Sequence, residues 1–251
     1  MGKDKRSPSI LSNTFDWSKL DRHTIANEIW EISPIVVNRP LTTTEFHSII
    51  TTYLKKYIPV RVRKSFNFKL SSKQIYIGGA YYINLDQKRM KCIEVIFQYC
   101  HKDSILTISS NKFWKICLLI ADTILHELIH MRQYRRRQFR SISNYKSIST
   151  QIKLRTDQEY LGCADEVDAY SFNIACELLY DFSGDQTAVV EYLNKQQVDG
   201  RRKKNSWFLY LKTFEYDHTH PIINRVKRTV IRYLPRSRYG KPYRNKDWIN
   251  Y

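Results

Sequence analysis

Glycine and proline are scarce in this chain, with seven of each among 251 residues. That excludes a collagen-like or low-complexity protein. Cysteine is also sparse. Cys92, Cys100, Cys117, Cys163 and Cys176 make an odd set of five with no C-x-x-C spacing. Reduced thiols in a cytoplasmic setting fit this better than a disulfide framework. Long apolar runs are missing. The longest, Ile116 to Ala121 with Ile124 and Leu125 following, is interrupted by Asp122 and too short to span a bilayer. Met1 to Asn13 is polar and basic, without the apolar stretch of a signal peptide, so neither export nor a membrane anchor is expected. No internal repeat is apparent.

Acidic residues are the remaining shortage: 24 Asp and Glu face 42 Lys and Arg, a net charge of +18. Such a surface attracts polyanions, whether nucleic acid, acidic membrane or acidic protein, or is simply a solvated basic exterior. The hydrophobic share of 42% is ordinary and the aromatic share of 14%, led by 18 Tyr, is high, so a substantial core can be buried.

The pattern predicts residues 1–13 as a flexible arm, 14–234 as one domain and 235–251 as a basic, Tyr-rich tail. Within the domain, 14–58 reads as helical, 60–109 as sheet, 110–183 as two long helices and 186–234 as helical. Asp16 to Glu31 has helical spacing. Thr42 with Glu45 three residues on is a capping box, opening a helix that ends before Pro59. From Val60 the period changes to two. Val60 to Phe68 marks a strand. Gln74 to Ile77 and Ala80 to Ile83 flank Gly78-Gly79 as a hairpin turn or bulge. Ile93 to Tyr99 and Ile105 to Ser109 are further strands, and the sheet is expected to be mostly antiparallel. Gln186–Gln197, Ser206–Phe214 and an element beginning at Pro221 read as helices.

The stretch Ser110 to Arg137 carries the chemistry. Ser109 or Ser110 can cap it. Trp114, Cys117 or Leu118, Ala121, Leu125 and Leu128 form an apolar stripe. Leu119, Asp122, His126, His130 and Gln133 form a more polar one, which puts the histidines off the fully buried face. His126-Glu127-Leu128-Ile129-His130 reads H-E-x-x-H. Four residues apart on a helix, both imidazoles can reach one metal ion, and Glu127 is placed to take a proton from water activated there. A catalytic zinc needs a third protein ligand. Glu166 is the best candidate, on a helix predicted after the Ser-rich loop 141–150 and a break at Gly162. Small Ala169 three residues later allows close helix approach. Asp165 and Asp168 can orient a ligand histidine or serve as acids of a first helical turn. Asp122 reads as a solvated helix residue.

At these residues, His126-Glu127-x-x-His130 followed by Glu166-x-x-Ala169, the chain resembles the gluzincin class of zinc metallopeptidases, in particular small intracellular or phage-encoded members. The thermolysin-type Glu-x-x-x-Asp is not met, because position 170 is Tyr. The metzincin extension is absent, since positions 133 and 136 are Gln and Arg. The resemblance implies an α+β, zincin-like fold: a small, mostly antiparallel sheet, the H-E-x-x-H helix, then a glutamate-bearing helix and a helical C-terminal region. It implies Zn2+ held by His126, His130 and Glu166, with Glu127 as general base in peptide hydrolysis. Tyr170, or one of Tyr216, His218 and His220, would donate to the oxyanion; Tyr170 and His220 are the catalytic candidates taken forward. His220 also reads as a helix N-terminal residue before Pro221. In the resembling enzymes an edge strand pairs with the substrate, for which 93–99 or 105–109 are candidates. A protein or peptide is the expected substrate, in the cytoplasm or in a virion if phage-encoded. The competing expectation is a nucleic-acid-associated or structural protein using basic segments 132–140, 201–204, 225–238 and 241–246 with their interleaved aromatics, its peptidase scaffold secondary or inactive.

Overall fold

The computed structural model describes residues 21–102, 104–140, 157–195 and 205–234. The expected arm 1–13, the loop 141–150, the basic run 201–204 and the tail 235–251 lie outside them. The chain is α+β and divides into two compact units, Met1–Cys117 and Leu118–Tyr251. No helix among the described residues is long and apolar enough to cross a membrane.

In the first unit, α1 (Arg22–Trp30) starts where Asp21 accepts hydrogen bonds from the backbone of His23 and Thr24; residues 16–20 of the expected helix are outside the described range. After the short α2 (Ser33–Val36) and β1 (Pro40–Thr42), the capping box at Thr42 and Glu45 is formed in both directions and opens α3 (Thr43–Tyr57). Phe46, Ile50 and Leu54 recur at helical spacing along α3 and are buried.

The sheet departs from expectation in three ways. Strands β2 (Arg61–Phe66), β3 (Ile75–Tyr81) and β4 (Ile93–Tyr99) form one sheet in the order β2-β4-β3. First, β4 pairs with β2 in parallel, Arg61 opposite Glu94 through Phe66 opposite Tyr99, so this sheet is mixed; only β3 runs antiparallel to β4. Second, β3 passes straight through Gly78-Gly79, which face Ile96 and Val95 without a gap. Neither hairpin turn nor bulge exists there. The Tyr76 ring lies where a Cβ at Gly78 would approach it to 3.3 Å, so glycine leaves room for an aromatic ring rather than a reversal. The run expected to continue as strand to Ile83 instead turns into α4 (Ile83–Gln87), with Asp86 accepting from the Tyr81 hydroxyl at 2.8 Å. Third, β4 is the central strand, with both edges paired, so 93–99 cannot take a peptide as an added strand. β5 (Ile105–Thr107) pairs antiparallel with β1 in a separate two-stranded sheet.

β4 encloses one face completely, with Ile93, Val95, Phe97 and Tyr99 at alternate positions, while Ile96 and Gln98 on the other face are half-buried. Beside it sits His47 of α3, only 9% exposed. The Tyr99 hydroxyl lies 3.3 Å from its Nδ1, and its ring packs edge-on against Phe97 and Tyr99. Burial first, and then the charges of Lys64 and Lys55, hold His47 down at about 4. Above pH 6.5 the imidazole is neutral folded or unfolded. Below it the unfolded chain binds the proton first, so stability falls with pH down to about 4, by roughly 3 kcal/mol across the window. Urea unfolding at pH 7 and at pH 4.5 measures this. A His47→Phe protein should show a smaller acid loss by about that amount; an unchanged loss would refute the assignment.

Helix α5 (Ser110–Arg136) contains the unit boundary. The Ser109 hydroxyl faces the Lys112 N–H at 3.4 Å, as a cap would. From Ile120 to Met131 every residue except Thr123 is buried. The second unit then builds α6 (Asp157–Leu161), α7 (Ala164–Asp181), α8 (Gln186–Asn194), α9 (Ser206–Thr213) and α10 (Pro221–Tyr233). Residues 196 and 197 of the expected 186–197 helix are outside the described range. One core holds α6 to α10 together, with Trp207, Tyr210 and Leu211 of α9 and Ile223, Val226 and Val230 of α10 packed on Val167, Ile174 and Leu178 of α7.

Candidate metal centre

Helix geometry alone brings His126 and His130 to one face of α5, and their Nε2 atoms stand 3.1 Å apart. The third group arrives from the first turn of α7. Glu166 Oε2 is 3.5 Å from His126 Nε2, and Oε1 is 3.5 Å from His130 Nε2. Two ligand atoms each about 2.0–2.2 Å from a tetrahedral zinc are separated by roughly 3.4 Å. The distance between the imidazole nitrogens and the distance from each of them to one Glu166 oxygen lie close to that value, and one ligand atom from each residue falls within 4.8 Å of the others, so the residues present fit a zinc ion. Among the described residues this is the group of three or more His, Cys, Asp or Glu whose ligand atoms converge. All three side chains are buried.

Burial changes the sequence reading of α5. The polar stripe is not at a solvated edge: His126, Glu127, His130 and also Asp122 are each at most 8% exposed, whereas Leu119 of that stripe is exposed. Asp122 is therefore not a solvated residue. Its carbonyl is 3.4 Å from Asn173 Nδ2 of α7.

Without a metal, buried imidazole would lose its proton, but the Glu166 carboxylate outweighs burial. Its hydrogen bond and charge, with help from Glu127 and Gln133, hold His130 up at about 9. Burial pushes Glu166 upward, and the hydrogen bonds and charges of the two histidines overcome it and hold Glu166 at about 2. Glu166 and His130 thus each favour the charged form of the other.

Gly162 makes the corner that presents Glu166. Its N–H donates to the Gln158 carbonyl at 2.8 Å, and a Cβ there would come within 2.8 Å of that same oxygen. Gly162→Ala is expected to destabilise the protein by about 1–3 kcal/mol by forcing α6 and α7 apart. A thermal melt equal to wild type would show that the corner yields freely.

Around Glu166 stand three tyrosines. The Tyr170 ring lies edge-on to His126, centroids 4.6 Å apart, and edge-on to Tyr210 at 5.7 Å. The Tyr210 hydroxyl donates to the Leu161 carbonyl at 3.0 Å. Tyr160 was not anticipated. The residue is 36% exposed, but desolvation of its hydroxyl, then the charges of Glu166 and Tyr170 with a hydrogen bond to Glu166, push the phenol well above its ordinary range.

The other candidates fall elsewhere. His220 caps α10, its Nδ1 accepting from the Ile222 N–H at 3.2 Å, and its ring packs on Phe214 at 4.6 Å. These are the contacts of a helix terminus, the alternative reading of this residue. Tyr216 is exposed against Phe208, and His218 packs by Trp207. Asp165 is gripped by Arg137 through two bonds of 2.7 and 2.8 Å. Asp168 meets Gln133 and Tyr233. The i+3 spacing of Gln133 from His130 could have flagged it; Tyr233, 65 residues from Asp168, left no local signal. No family model, curated protein or solved structure matches the chain.

Proposed function

We propose that the chain is a zinc-dependent metallopeptidase of zincin-like fold, in which His126, His130 and Glu166 hold the ion and Glu127 is the general base. The convergence of three buried ligand groups supports this reading above all: the two imidazole nitrogens are 3.1 Å apart, each is 3.5 Å from one of the Glu166 oxygens, and one ligand atom from each residue lies within 4.8 Å of the others. The H-E-x-x-H and Glu-x-x-Ala resemblance to gluzincins adds the reaction class. When bound, zinc lowers the pKa of water and polarises a scissile carbonyl. Glu127, 7% exposed and outside the ligand trio, takes the proton from the attacking water and passes it to the leaving amine. Tyr170, whose ring lies against His126, is the phenol placed beside the trio to donate to developing oxyanion charge, while Tyr160 gives its one hydroxyl hydrogen to Glu166.

Elemental analysis tests the reading. Purified protein is expected to carry one zinc per chain, and His126→Ala close to none. A chelator should stop cleavage of an unstructured protein substrate, and added zinc should restore it. Wild type lacking stoichiometric metal after zinc supplementation sinks the proposal.

A second reading, association with nucleic acid, draws on one observation. Arg225 and Arg232 of α10 border one cavity with Gln133 of α5, so residues of two basic segments far apart in sequence come together there. Arg225 and Arg228 are exposed on the same helix. DNA affinity falling steeply with salt would favour it; affinity indifferent to salt would not.

A further inference from the structure

We infer that Gln133 is a positioning residue for the metal site: its side-chain carbonyl holds His130 in the Nδ1–H form, and Asp168 and Tyr233 hold Gln133 in turn. This rests on the metal-site reading above. His130 Nδ1 is 2.9 Å from Gln133 Oε1. The amide nitrogen of Gln133 donates to the Asp165 carbonyl at 3.0 Å and to Asp168 Oδ2 at 3.1 Å. Both of its hydrogens therefore have acceptors. A flipped amide would set its oxygen against both acceptors. The carbonyl must face His130, so Nδ1 carries the hydrogen and Nε2 is the nitrogen left to bind a cation.

The chain continues outward. Tyr233 of α10 donates to Asp168 Oδ1 at 2.8 Å. Burial, with that hydrogen bond and the Asp168 charge, keeps the phenol protonated. One line of hydrogen bonds thus runs from α5 through α7 to α10 and ends on the imidazole. A carboxylate is usual as the direct outer partner of a metal-binding histidine. Here a neutral amide takes that place and the carboxylate stands one residue further out. A cavity of about 190 Å³, bordered by Gln133, Asp168, Arg225, Thr229 and Arg232, lies beside the relay. A side chain of similar size at 133 has space, so substitution there probes hydrogen bonding more than packing.

The experiment measures zinc affinity of the full chain by competition with a chromophoric chelator, and the visible spectrum of the cobalt(II)-substituted protein. Gln133→Leu is expected to weaken zinc binding by about 10- to 100-fold and to shift the cobalt bands. The paired exchange Gln133→Glu with Asp168→Asn keeps an acceptor towards His130 and supplies its second oxygen with a donor from position 168, while the amide oxygen introduced at that position still accepts from Tyr233; the bond to the Asp165 carbonyl is lost. It should recover part of the affinity. Tyr233→Phe removes one distant hydroxyl and is expected to cost several-fold. A Gln133→Leu protein with wild-type affinity and spectrum overturns the inference. So does equal failure of the Leu and paired variants, which would mark a packing effect, and a Tyr233→Phe protein unchanged in affinity removes the outer link. Wild type that takes up no zinc overturns the metal reading itself, before any variant is compared.

Discussion

Replacing Glu127 by Gln is expected to lower peptide hydrolysis by roughly 10²- to 10⁴-fold while zinc content stays at one per chain. The two halves of the result come from different places in the structure. Glu127 is not one of the group whose ligand atoms converge, so the ion keeps its three protein ligands. Its negative charge does reach the site, where it helps to hold the His130 proton. An amide of the same shape at 127 cannot accept a proton, and so the base is lost without a cavity or a new clash. Turnover of a fluorogenic peptide mixture, with elemental analysis of the same samples, measures both halves. Full activity in the Gln protein would remove Glu127 from the chemistry. Parallel loss of zinc would make it a ligand.

Removing the metal should have the second large effect. An ion bound by the folded chain alone adds RT ln(1 + [M]/Kd), about 4 kcal/mol when free metal stands a thousandfold above Kd. For a unit of this size that corresponds to a melting temperature higher by roughly 10 °C or more. The three ligands join α5 to α7, so the increment should appear in the Leu118–Tyr251 unit. His130→Ala should melt at one temperature with or without chelator. A wild-type melt indifferent to chelator would mean that no metal supports the fold.

The same centre dictates how this increment depends on pH. Without metal, His130 stands near 9, above its unfolded value of 6.5, so its contribution is fully present below 6.5 and is lost as pH rises through 9. Glu166 stands near 2, below 4.5, so its contribution is present above 4.5 and is lost as pH falls through 2. The metal-free ion pair is therefore strongest between those unfolded values. Metal must expel the His130 proton, so apparent zinc affinity should climb about tenfold per pH unit towards 9. The metal-dependent rise in melting temperature should be larger at pH 8 than at pH 6. A smaller rise at pH 8 would contradict the ion-pair description.

Some features were legible because their causes are local. The capping box at Thr42 and Glu45, Pro221 at the first turn of α10 and the limits of β4 at Ile93 and Tyr99 all sit where the pattern puts them. Each depends on residues within a few positions of one another. Gly78-Gly79 misled for the opposite reason: glycine permits a turn but does not demand one, and seven paired positions between β3 and β4 hold the chain extended. Parallel pairing of β2 with β4 was equally invisible. A period of two shows which side chains share a face, and says nothing about which strand lies alongside or in which direction.

The candidate metal centre divides along the same line. His126, Glu127 and His130 were bound to share a helix, because four residues make nearly one turn and every neighbour in α5 favours that turn. Sequence could nominate Glu166 but not deliver it, since its carboxylate reaches the imidazoles only after the corner at Gly162 and the packing of α7 are in place. Only the folded chain made the polar stripe of α5 buried, gave His220 to a helix cap, and joined Tyr233 through Asp168 and Gln133 to His130. Spacing along a helix is set by hydrogen bonds four residues long. Burial and relays are set by which distant surfaces exclude water from one another, and no short stretch of sequence contains that information.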